Sequence, residues 1–103
     1  MSSNVELVKY VAEQIAEVGE VTYRKMFGEY MIYINAKTVL LICDDIVFIR
    51  KWENIEELCR DCATGVPYHN AKEHYVLDPD DKDFLIKVVT EAEKVAQVPK
   101  KKL

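Results

Sequence analysis

A chain of 103 residues, half of them hydrophobic and 31% charged, has the size and balance of one globular domain. Its formal net charge of −4 argues against a dedicated nucleic-acid binder, and no apolar run approaches the roughly 20 residues that cross a bilayer. Three cysteines, an odd number, and an amino terminus without the basic-then-apolar export pattern point to a reduced cytoplasm with free thiols.

The spacing predicts a first helix over 4–18. Ser3 and Glu6 stand at capping-box distance, and Val8, Val11, Ile15 and Val18 share one face. Gly19 is expected in the left-handed position just past its end. The period then changes. Residues 21–27 and 29–34 read as strands rich in Tyr, Ile, Thr and Phe, with Gly28 at a bend or bulge between them. A turn at Asn35-Ala36-Lys37 leads into the apolar run 38–43, and Asp44-Asp45 turns the chain into a strand over 46–51. These segments form an antiparallel meander.

A short helix is expected over 53–62, where Ile55, Leu58, Cys59 and Cys62 are the few apolar positions. Gly65-Val66-Pro67 breaks that pattern, and 73–77 reads as a fifth strand. The last helix, 78–97, is expected to begin with Asp78 as N-cap and Pro79 at the first helical position. Phe84, Leu85, Val88, Val89, Ala92, Val95 and Ala96 give it a wide apolar stripe. The expected architecture is two-layer α+β: an antiparallel sheet of four to five strands with the N- and C-terminal helices packed on it, in the order α-β-β-β-β-α-β-α. Residues 1–98 form the single domain, and 99–103 read as a lysine-rich disordered tail.

Chemistry offers few handles. Cys59, Cys62, His69 and His74 are the types that ligate zinc, but their spacing is not that of a finger and the cysteines fall in a predicted helix. Two small apolar side chains on the inner face of that helix are the better reading. A redox role fails because the pair lies late in the helix, where the dipole raises a thiol pKa. Asp44-Asp45 reads as a turn rather than a catalytic pair, and no nucleophile–base dyad or glycine-rich phosphate loop can be placed. The expectation is a protein that is not an enzyme and holds no cofactor. Arg24 and Lys25 beside Tyr23, Tyr30 and Tyr33 could clamp nucleotides, and with Arg50 and Lys51 they define the alternative of a direct nucleic-acid binder. Cross-strand aromatic and cation–π contacts explain the same tyrosines and cations within a sheet.

Arg24, Met26, Phe27, Gly28 and Tyr30, followed by Tyr33, by Cys43-Asp44-Asp45 and by Pro67-Tyr68 and Ala71-Lys72, resemble the N-terminal domain of the TfoX/Sxy proteins. The resemblance runs from about residue 7 to 98. It implies helices packed on an antiparallel sheet, and a regulatory rather than catalytic role in bacterial competence and transcription. Larger members append a second, helical domain, and Ala36 stands where the pattern has Gly, which implies a different turn there. Both alternating sets of the run 38–43 are apolar, so both faces of that strand should be covered. Met31, Tyr33, Val39 and Leu41 are therefore the candidate interaction face, for a protein partner such as a transcription factor or for a second copy. No membrane is involved in this reading.

Overall fold

A computed structural model describes residues 5–26 and 28–97. Helix α1 (Val5–Gln14) buries Val8 and Val11, as the apolar spacing dictates. The expected helix to residue 18 stops four residues early and continues as looser turns, closed by Ile15 N–H to the Val11 carbonyl (3.2 Å) and Val18 N–H to the Ile15 carbonyl (3.0 Å). Ile15 stays fully buried, so the apolar stripe persists where the regular helix does not. The capping residue Ser3 lies outside the described residues. Gly19 does not take the left-handed conformation. Its reason is proximity: a Cβ there would meet the Asn35 amide at 2.7 Å. That amide's Oδ1 accepts from the Glu20 N–H at 3.0 Å, while the Asn35 N–H donates to the Glu20 carbonyl at 2.8 Å.

Strands β1 (Val21–Met26), β2 (Glu29–Ile34), β3 (Lys37–Cys43) and β4 (Ile46–Ile49) form the expected meander. Both the β2–β3 and β3–β4 hairpins close on two residues at positive φ: Asn35 (53°) with Ala36 (69°), and Asp44 (53°) with Asp45 (62°). Positive φ at both central residues is the type I′ geometry, whose twist matches that of the flanking strands. Ala36 thus keeps a conformation that suits glycine better. Lys37 belongs to the strand rather than to the turn, since it pairs with Ile34. In β3 the register slips: Leu40 faces Ile32 but Thr38 faces Tyr33, so Val39 is an extra residue, a β-bulge.

The sheet has six strands, not four to five, in the order β1-β2-β3-β4-β6-β5, with every pair antiparallel. The added strand is β5 (Ala63–Gly65), which pairs with β6 (His74–Leu77) in the stretch that the glycine and proline had marked as a break. Three residues are too few to show alternation. Gly65 is there because the Phe48 ring lies 3.3 Å from where its Cβ would stand. Instead of a helix over 53–62 the chain makes a 3-10 turn, Glu53–Ile55, and further turns, including Cys59 N–H to the Ile55 carbonyl (2.9 Å). With few apolar positions to bury, a regular helix has little to gain there.

Helix α2 (Lys82–Val95) is capped by Asp81, whose carboxylate accepts from the Phe84 N–H at 3.3 Å. Asp78 instead accepts from the Asp80 N–H at 2.9 Å, forming a local turn, and the Pro79 carbonyl accepts from the Gln14 amide at 3.0 Å. The expected cap at Asp78 and helix start at Pro79 are thus displaced by three residues, because the nearest of several aspartates caps the helix. Leu85, Val88, Val89 and Ala92 of α2 join Val8, Val11 and Ile15 of the first helical segment in one buried cluster. Across from them on the sheet stand Ile32, Ile34, Leu40, Ile42, Val47, Ile49, Tyr75 and Leu77. Both helices therefore cover one face. Lys37 ties the second helix to the sheet, with its Nζ 3.0 Å from the Glu93 carboxylate.

Candidate functional site

Register decides which side chains share the other face. The ladder Arg24, Met31, Leu41, Phe48, Val76 and Ala63 runs across all six strands, each residue paired with the next. Side chains alternate along a strand, so this row lies opposite the helix-covered face. The outer face is uneven. Over β3 and β4 its centre is buried, with Leu41 7% and Phe48 4% exposed, although neither belongs to the cluster under the helices. Over β1 and β2 it is open: Thr22, Arg24 and Met26 are exposed, and Met31 and Tyr33 are half-buried.

Beside the buried centre the surface falls into a cleft of about 670 Å³. Met31, Val39, Leu41 and Phe48 give it an apolar floor, and Trp52, Tyr68 and Lys72 stand in its walls with Arg50 and His74. The Arg50 guanidinium lies over the Trp52 ring, 4.6 Å from its centre, and the Phe48 and His74 rings meet edge to face at 6.2 Å. His74 Nδ1 lies 2.7 Å from the Lys72 carbonyl, which can only accept, so Nδ1 carries the proton and Nε2 is left to face other groups. The indole N–H of Trp52 is buried and has no acceptor among the described residues.

Of the candidate interaction face, the structure brings Met31, Val39 and Leu41 to this cleft and leaves Tyr33 beside it on the open part. Val39 and Leu41 are buried within the chain, at 3% and 7% exposure. The signature residues gather elsewhere. Met26 and Gly28 lie at the β1–β2 turn, and Cys43, Asp44 and Asp45 at the neighbouring β3–β4 turn, both at one end of the sheet. Tyr30 points into the core and meets Tyr23 edge to face at 6.2 Å. Phe27 lies outside the described residues. Burial pushes the Cys43 thiol above its ordinary pKa, with the charges of Asp44 and Glu29 adding to it. These residues shape turns and packing.

The four zinc-type residues are not brought together: among the described residues no three His, Cys, Asp or Glu side chains are arranged to hold a metal. Cys59 is fully buried and partners Cys62, and burial first, then that neighbour, pushes its thiol up to about 12. His74 belongs to the cleft, and His69 is exposed in the segment before β6. The four basic candidates are likewise dispersed. Arg24 and Lys25 are successive strand residues and face opposite sides, Arg50 stacks on Trp52, and Lys51 pairs with Glu73. The lysine-rich tail falls outside the described residues. Sequence reasoning missed the roles of Trp52, Tyr68 and Lys72. The stretch Arg50-Lys51-Trp52, holding the only tryptophan of the chain, was the available signal.

An open antiparallel sheet with its helices on one face and a cleft on the other defines an α+β domain of the kind that presents a sheet surface. Residues 13–96 match the TfoX N-terminal domain family, and the chain belongs to that family. It is also similar to an uncharacterized 12.7 kDa protein of the trpE 5′ region of Spirochaeta aurantia. The two are 29% identical over 78 residues, which cover 76% of this chain and 68% of the relative. Among the described residues no helix is long and apolar enough to cross a membrane.

Proposed function

We propose that the chain is a non-catalytic, cytoplasmic regulatory domain that works by docking on another protein, as a TfoX-type competence and transcription regulator would. The observation that carries this reading is the unequal covering of the sheet. Both helices serve one face, while the outer face of β1 and β2 keeps Met26 at 39% exposure and Met31 and Tyr33 half-open around Arg24. Strand β1 is also a sheet edge, six residues long, with no strand among the described residues paired on its outer side. Mixed apolar and cationic surface beside a free edge suits strand addition or face-to-face docking.

Light scattering at several concentrations tests whether the partner is a second copy, and capture on the immobilised chain tests for another protein. In both, Tyr33→Lys and Met26→Lys should abolish the association while leaving the melting temperature unchanged. A partner held equally well by both variants would refute the surface. A duplex-DNA mobility shift that weakens steeply with salt, and that Arg24→Gln abolishes, would replace the reading with the nucleic-acid alternative.

A further inference from the structure

We propose that the cleft beside β3 and β4 is a binding site for a small organic anion: a flat apolar body carrying a carboxylate or similar acid group. This goes beyond the docking role and does not depend on it. At about 670 Å³ the cleft has the capacity of small-molecule sites, and its makeup, an apolar floor with a few converging polar groups, is theirs as well.

The charge argument is local. The protein as a whole is net −4, yet among the residues lining this cleft there are two cations, Arg50 and Lys72, and no acid. Neither cation has a carboxylate partner among the described residues, whereas neighbouring Lys51 is neutralised by Glu73. A second hollow of about 520 Å³ shows the opposite, with Asp61, Asp78 and Asp81 in its lining. A cationic cleft on an anionic protein concentrates anions against the general field.

The geometry completes the argument. The Arg50 guanidinium lies over the Trp52 ring, 4.6 Å from its centre, and no carboxylate among the described residues pairs with it, so its N–H groups are available to a planar acid. The Trp52 indole stands in the wall of the cleft, where its resonance reports on a ligand beside it. His74 is oriented by its Nδ1–H bond to the Lys72 carbonyl and packs edge to face on Phe48, which fixes that wall of the cleft. Half-buried Met31, with the small part of Leu41 and Phe48 left uncovered, gives the apolar body its floor.

The test uses 2-naphthoate, its neutral isostere 2-naphthamide, and the purified chain at several concentrations. Calorimetry gives affinity, and the indole N–H resonance of Trp52, the single tryptophan, gives location. Naphthoate should saturate with a Kd below about 1 mM and move that resonance, and naphthamide should bind about tenfold more weakly or not at all. Arg50→Gln with Lys72→Gln, both exposed and so compatible with folding, should erase the preference for the acid. Equal binding of acid and amide, no saturation at about 5 mM, an unmoved Trp52 resonance, or an unchanged affinity in the double variant would each overturn the proposal. So would an affinity that rises as the protein is diluted, because the cleft would then belong to a second copy.

Discussion

Gly28 is the sharpest test of the hairpin logic. It is the second residue of the β1–β2 turn and sits at φ +82°, where an L side chain is strained, yet a Cβ added there would meet nothing within 4 Å. Packing therefore contributes nothing to the effect of Gly28→Ala, and the backbone term stands alone. A left-handed conformation costs a residue with a Cβ about 1–2 kcal/mol. The stiffer unfolded chain of the alanine variant returns about 0.4–1 kcal/mol. The expected net loss is about 1 kcal/mol, a fall of roughly 4–8 °C in melting temperature for a domain of this size. Urea titration followed by circular dichroism should show a lower midpoint with an unchanged slope. Asparagine tolerates positive φ, so Gly28→Asn should lose less than Gly28→Ala, and the β-branched Gly28→Val should lose more. Equal stability of wild type and Gly28→Ala, or equal loss for Ala and Asn, would refute the assignment of the cost to φ.

The same arithmetic changes sign at Ala36, at φ 69° in its type I′ turn: Ala36→Gly should raise stability by about 1 kcal/mol, read in the same urea titration. Glu93 is held below its ordinary value of 4.5, first by the Lys37 hydrogen bond. The stabilisation from this depressed carboxylate is fully present above 4.5 and is lost as pH falls through the lower folded value. The stability gap between wild type and Glu93→Gln should accordingly close as the solution is acidified. Cys59, with its thiol near 12, should resist iodoacetamide at neutral pH in the native chain and react once unfolded. Cys59→Ala with Cys62→Ala should stay folded at a loss of about 1–2 kcal/mol, by thermal melt.

The elements legible in the sequence were those with enough residues to state a period. Helix α1, the first four strands and α2 each carry an unbroken apolar rhythm or a turn with its own chemistry. What escaped were the short or ambiguous pieces. Strand β5 has three residues, and its glycine, which makes room for the Phe48 ring, looks in sequence like a breaker. The α2 cap was ambiguous because Asp78, Asp80 and Asp81 are all competent, and only the fold decides which reaches Phe84. Gly19 was assigned the right importance for the wrong cause, since a contact with Asn35 sixteen residues away leaves no local trace. The cleft was legible only as an excess of apolar residues on β3. Its walls come from Trp52 and from the segment holding Tyr68 and Lys72, joined to the floor by long-range pairing of β4 with β6.

That excess also connects the two proposals. The run Thr38-Val39-Leu40-Leu41-Ile42-Cys43 needs cover on both faces, and on the outer one the chain's own walls supply it over Leu41 and Phe48 while stopping short of β1 and β2. The covered part becomes a cleft and the uncovered part the proposed docking surface. Met31 belongs to both, facing Leu41 on one side and Arg24 on the other. An anion seated in the cleft would press on a residue that the partner also touches, and any such coupling must be reciprocal: the partner shifts ligand affinity by the factor that the ligand shifts partner affinity. Met31→Ala should therefore weaken both naphthoate binding and partner docking, whereas Tyr33→Lys should abolish docking and leave naphthoate untouched. Loss of both functions in Tyr33→Lys would mean one continuous surface, and the division at Met31 would fall.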